Sequence, residues 1–100
     1  MKEIALQTHV GKFAENKDIA RDIRITSILP ALEKGEDVIL DFQGIDSATQ
    51  SFIHALISDV IRRKGIAVLD RMYFKNCNTT VQKIINIVVD YMQGATEPEH

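Results

Sequence analysis

Residues Val38-Ile-Leu-Asp-Phe-Gln-Gly-Ile-Asp-Ser-Ala-Thr-Gln-Ser-Phe-Ile-His-Ala-Leu-Ile57 change their hydrophobic period part-way along. Val38 to Phe42 is a short apolar run bounded by Glu36-Asp37 and Gln43-Gly44, the pattern of a strand buried on both faces and therefore central in its sheet. From about Ala48 to Lys64 the apolar residues Phe52, Ile53, Leu56, Ile57, Val60 and Ile61 instead recur at helical spacing, and Gly65 closes the helix. A strand that ends in an acid and passes through a polar loop into an amphipathic helix is half of a βα unit.

The flanking segments repeat the alternation. Lys2 to Thr8 alternates polar and apolar residues, a strand pattern with one covered face. Val10 to Phe13 contains Gly11 and fits either a turn or the entry to a short second strand. Asp18 to Lys34 carries Ile19, Ala20, Ile23, Ile28, Leu29 and Leu32 at helical spacing, with Asp18 expected as N-cap and Gly35 as stop. Pro30 lacks the N–H that would bond the carbonyl of Thr26, so a kink or break is expected there. A third strand is expected within Ile66 to Lys75, with a loop near Asp70. Thr80 to Met92 places Val81, Ile84, Ile85, Val88, Val89 and Met92 on one helical face, with Gly94 as its expected end and residues 95–100 as a frayed tail. The class is α/β, a single domain over residues 1–94, because crossover helices between strands favour parallel pairing and pack on the sheet.

Composition excludes several functions. The chain has 100 residues, 45 % hydrophobic and 26 % charged, the balance of one ordinary globular domain. A net charge of −2 with scattered cations gives no field for phosphate backbones, so nucleic acid is not expected as a partner. The basic run Arg62-Arg63-Lys64 suits the last turn of a helix. No apolar run reaches the roughly 20 residues that span a bilayer. The lone Cys77 and the lack of a signal peptide at the N-terminus point to a reducing compartment, and cytoplasmic is the expectation.

Candidate chemistry is sparse. Ser47-Ala-Thr-Gln50 and Thr79-Thr-Val-Gln82 both fit a capping box, in which the first hydroxyl accepts from the fourth residue's N–H. Asp41 and Asp46, five apart, are the acids a Mg²⁺ site would use, but a strand end and a loop explain them without a metal. His54 shares a helical stripe with Ser51 and Ser58, which reads as a solvated face, because no orienting group or oxyanion donors accompany the pair. Cys77 precedes a helix start, where a thiolate is favoured, yet a buried small residue is the simpler expectation. Gly-rich phosphate loops, Cys/His metal clusters and nucleophile elbows are missing from the sequence, so no cofactor and no metal is expected.

The segments Ala20-Arg21-Asp22-Ile23-Arg24, Leu40-Asp41-Phe42, Thr49-Gln50-Ser51-Phe52 and Asn76-Cys77-Asn78 resemble the STAS-like domain family of unknown function. More distantly, the chain is similar to the STAS domains of anti-sigma factor antagonists. The resemblance implies a mixed sheet of about four strands backed by three main helices, acting in bacterial signalling as a docking module for an ATP-binding, histidine-kinase-like protein. In the anti-sigma antagonists a Ser at the start of the corresponding helix is phosphorylated. Matching Asp41 to their strand Asp and Leu56 to their helix Leu puts Gln50 at that position, so a phosphate switch would need Ser51 or Thr49 as acceptor. The expected partner surface is Gly44, Asp46, Ser47, Thr49, Gln50, Ser51 and His54, with no catalytic residue. The alternatives are a small ligand-binding or catalytic domain using Asp41, Asp46, Asn76 and Cys77, and a structural homo-oligomer, such as a homodimer, joined through an apolar patch on the first or last helix.

Overall fold

The structure, a computed structural model, describes residues 1–96, with side chains to residue 93. In chain order it contains β1 (Lys2–Ala5), the single turn α1 (Gln7–Val10), β2 (Phe13–Ala14) and α2 (Lys17–Ile23). The chain continues from α2 through a π turn (Arg24–Ile28) into α3 (Leu29–Glu33), followed by β3 (Val38–Asp41) and β4 (Ser47–Ala48). It ends with α4 (Gln50–Lys64), a 3-10 segment (Ile66–Arg71), β5 (Met72–Lys75) and α5 (Thr79–Thr96).

The expected α/β alternation is present, but the sheet differs from the expectation of about four mixed strands. There are two sheets, a three-stranded one in the order β1-β3-β5 and a two-stranded one in the order β2-β4, and each described pairing is parallel. The two-residue strands β2 and β4 are too short to show any period, which is why the sequence pattern does not separate them from loop. β3 is central, as its apolar run requires, although only Val38 and Leu40 are fully buried while Ile39 and Asp41 are half-buried.

One apolar cluster holds these elements together. Ile4, Val38, Leu40 and Met72 from the sheet share it with Phe52, Ile53, Leu56, Ile57 and Val60 of α4, and with Val81, Ile85, Val88 and Met92 of α5. α4 is packed against both α2 and α5. Burying a large aliphatic side chain contributes about 1.5 to 3 kcal/mol, so this stripe anchors α4 along its whole length and fixes where its first turn emerges.

The helix starts lie one or two residues from where the sequence places them. Asn16, rather than Asp18, caps α2 through its Oδ1, which accepts from Asp18 N at 2.9 Å and Ile19 N at 3.3 Å. Ser47 lies in β4 beside Phe13, and Thr49 caps α4 by accepting from Phe52 N at 3.1 Å. Asn78, rather than Thr79, caps α5 by accepting from Val81 N at 2.8 Å. Each true cap has a cap-forming neighbour in the sequence, and the pattern does not choose between them.

The interruption expected near Pro30 takes the form of the π turn over Arg24–Ile28, just before α3. Between α4 and β5 the chain forms the 3-10 segment instead of a longer strand with a loop near Asp70. Arg71 at its end donates to the carbonyls of Leu32 at 3.2 Å and Glu36 at 2.9 Å, which ties this segment to the end of α3. Gly94 does not stop the last helix, which runs to Thr96; the remainder of the expected tail, residues 97–100, lies outside the described residues. Among the described residues no helix is long and apolar enough to cross a membrane.

Candidate functional site

Two regions carry the residues singled out in the sequence. The first lies at the carboxyl ends of β3 and β5. Asp41 Oδ1 accepts from Asn76 Nδ2 and from the backbone N–H of Gln43, both at 2.9 Å. The Asn76 bond first, then that of Gln43, and last the charge of Lys75 lower the Asp41 pKa below the ordinary carboxylate value, and desolvation only partly opposes them. Asn76 adopts φ +60, a left-handed conformation that Asn tolerates better than most residues.

Asn78 continues the same lattice. Its Nδ2 donates to the carbonyls of Asp46 at 2.8 Å and Ile45 at 3.3 Å, while its Oδ1 caps α5. Asn76-Cys77-Asn78 therefore binds the loop after β3 to the start of α5. Gly44 in that loop has φ +84, and a Cβ there would lie 2.5 Å from side-chain atoms of Gln7. The Cys77 thiol is half-buried, and burial first, then the neighbouring Asp41 charge, raise its pKa. This is the reverse of the thiolate stabilisation expected at a helix start, and it disfavours a nucleophile.

The strand-end residues thus come together, but their polar atoms are turned on one another. Asp46 is exposed, and its carbonyl rather than its carboxylate is held. Among the described residues no group of three or more His, Cys, Asp or Glu is arranged to hold a metal ion.

The second region is the start of α4. Gln50 and Ser51 are exposed in its first turn, and His54 is half-buried one turn further on. The Thr49 hydroxyl is occupied as the cap and lies 3.3 Å from Ser51 Oγ. Gln50, Ser51, His54 and Ala55, together with Lys17 at the start of α2, line an open depression of about 500 Å³. His54 Nδ1 lies 3.4 Å from Ser58 Oγ, and the His54 ring is 6.3 Å from that of Tyr91 on α5. The stripe expected to be a solvated face is therefore solvated only at its start, because Ser58 is buried.

Several residues at this region, Tyr91 of α5 among them, were not singled out by the sequence pattern. Lys17 gives no signal, being one exposed cation among several. Phe13 is 56 % exposed and sits beside Ser47 across the β2-β4 pair. Arg24 is buried against α4, where its guanidinium donates to Ala55 O at 2.7 Å and meets Asp59 at 3.4 Å. One signal for it did exist, since Arg24 falls four residues after Ala20 and four before Ile28, on the apolar stripe of its helix.

A family model described as a STAS-like domain of unknown function matches residues 20–82. The chain belongs to that family. The matched span of this STAS-like domain begins at the core face of α2, includes Arg24 and both strand-end segments, and ends in the first turn of α5. No curated protein matches the chain, and no solved structure does. Family membership of the STAS-like domain is thus shown together with its parallel α/β architecture, and it brings no activity with it.

Proposed function

We propose that this STAS-like domain is a non-enzymatic docking module that binds a protein partner through the first turns of α4. The observation that carries this reading is the contrast in polar groups. Gln50, Ser51, His54 and Lys17 line an open depression, whereas Asp41, Asn76 and Asn78 are engaged in bonds within the domain. Interfaces draw on aromatic anchors beside adaptable polar side chains, and Phe13 and Tyr91, 56 % and 60 % exposed, flank this region. The loop Gly44 to Ser47 borders the surface and supports it through Asn78.

The proposed partner is an ATP-binding, histidine-kinase-like protein of bacterial signalling, in the cytoplasm. If that partner acts on a hydroxyl, Ser51 is the better acceptor. It is exposed in the first helical turn, where added negative charge is stabilised by the helix dipole, whereas the Thr49 oxygen already serves as the cap.

The test is a pull-down of such an ATPase with the wild-type domain and with Gln50→Lys and Ser51→Asp. Either variant should lower capture at least about tenfold, the loss of about 1.4 kcal/mol expected at the centre of an interface. Full capture by both would exclude this surface. The catalytic reading through Asp41 and Cys77 is disfavoured by the two hydrogen bonds that hold Asp41 Oδ1 within the domain and by the raised thiol pKa.

A further inference from the structure

The depression at the start of α4 has two unlike walls. Its polar lining is Lys17, Gln50, Ser51 and His54, with no carboxylate among them. Gln50 and His54, one helical turn apart, stand on the side of α5, where the His54 ring meets that of Tyr91. The other wall is α2. There Lys17, Arg21 and Arg24 follow at i, i+4 and i+7 and form a single stripe, while Asp18 and Asp22 project about 100° and 140° further round the helix.

Charge along this stripe is unbalanced. Lys17 and Arg21 are exposed, and among the described residues neither is in an ion pair. Further along the seam between α2 and α4, the one carboxylate of Asp59 serves two guanidinium groups, Arg24 at 3.4 Å and Arg62 at 3.3 Å. The buried Nε of Arg24 has no partner among the described residues. Lys17, Arg21, Arg24 and Arg62 thus gather around a single acid in a chain whose net charge is −2.

We infer that the α2 wall of the depression takes an acidic, extended segment of the protein partner, whose carboxylates pair with Lys17 and Arg21. The inference rests on the docking reading above and names the chemistry which that surface recognises. Four residues of helix rise about 6 Å, and alternate side chains of an extended chain stand about 6.6 Å apart, so acids at every second position match the two unpaired cations. The Ser51 hydroxyl, exposed on the facing turn of α4, is a further donor beside them. A nucleic acid would meet the same cations, but its binding depends on neutralising more phosphates than two free side chains can reach.

Fluorescence anisotropy with the full chain tests this, using a fluorescein-labelled peptide of alternating Glu and Ser, the same peptide with Gln for Glu, and a labelled oligothymidylate. At low salt the Glu peptide should bind with a dissociation constant below about 1 mM, and the Gln peptide at least about tenfold more weakly. The double variant Lys17→Glu with Arg21→Glu should weaken the Glu peptide at least about tenfold with its melting temperature retained, and salt at about 0.5 M should do the same to wild type. A Glu peptide that binds no better than the Gln peptide, or as well to the double variant, overturns the inference. Tighter binding of the oligothymidylate overturns it too. None of these results involves Gln50, so failure here is distinct from failure of the docking surface, which the ATPase pull-down with Gln50→Lys decides.

Discussion

The strand-end lattice and the start of α4 are both built from polar residues beside a helix start, yet they dispose of their polar atoms in opposite ways. At the strand ends Asp41, Asn76 and Asn78 give their hydrogen-bonding capacity to one another, to the loop after β3 and to the cap of α5. At the start of α4 only Thr49 is engaged in the backbone, and Gln50, Ser51 and Lys17 face an open depression. Residue type alone does not separate the two, because Asn, Asp, Ser and Thr serve equally as caps and as contacts. Their partners do.

Breaking the lattice should therefore cost stability. The largest effect is expected for Asn78→Ala, which removes a helix cap and two tethers to the loop; a loss of about 2 kcal/mol should appear in urea denaturation. Gly44→Ala follows at about 1.5 kcal/mol, mostly from forcing a side chain to the left-handed φ of +84, since the Gln7 side chain can move aside. At the start of α4 the effects are smaller and unequal. Thr49→Ala should cost about 1 kcal/mol through the lost cap, whereas Ser51→Ala should lie within about 0.5 kcal/mol of wild type. A large cost at Ser51 would erase the distinction between the two regions.

The pH dependence gives a finer test. The folded pKa of Asp41 is depressed, so its contribution to stability is present above the unfolded value of about 3.9 and is lost as pH falls through the folded pKa. Urea midpoints taken between about pH 5 and pH 2 should fall more steeply with acid for wild type than for Asp41→Asn, which keeps an acceptor but cannot titrate. The difference is expected to be small, because the group is only partly buried.

Much of this fold is legible in the chain. The apolar periods of residues 52–61 and 81–92 place the two long helices, and the run from Val38 places the central strand, since each buries a full stripe of large side chains. Legibility fails where the structure is short or where choices are degenerate. β2 and β4 have two residues each, and the starts of α2, α4 and α5 each offer two cap-forming residues within three positions. The alternation of strands and helices favours the parallel pairing, but the order β1-β3-β5 and the separate β2-β4 pair are encoded by no local pattern. Of the candidate site, Gln50, Ser51 and His54 were visible as polar residues on an amphipathic helix. Lys17 and Phe13 reach the same surface only through the packing of α2 and β2 beside α4.

The central claim is that a partner covers the start of α4 and leaves the strand-end lattice exposed. Amide hydrogen exchange of the domain with and without a bound histidine-kinase-like ATPase measures this directly, because the amides of a first helical turn lack intrahelical acceptors and exchange fast unless covered. The account predicts slowed exchange at Gln50 and Ser51, with Gln43 and residues 76–78 unchanged. Protection confined to Gln43 and residues 76–78, with the start of α4 unaffected, would contradict it.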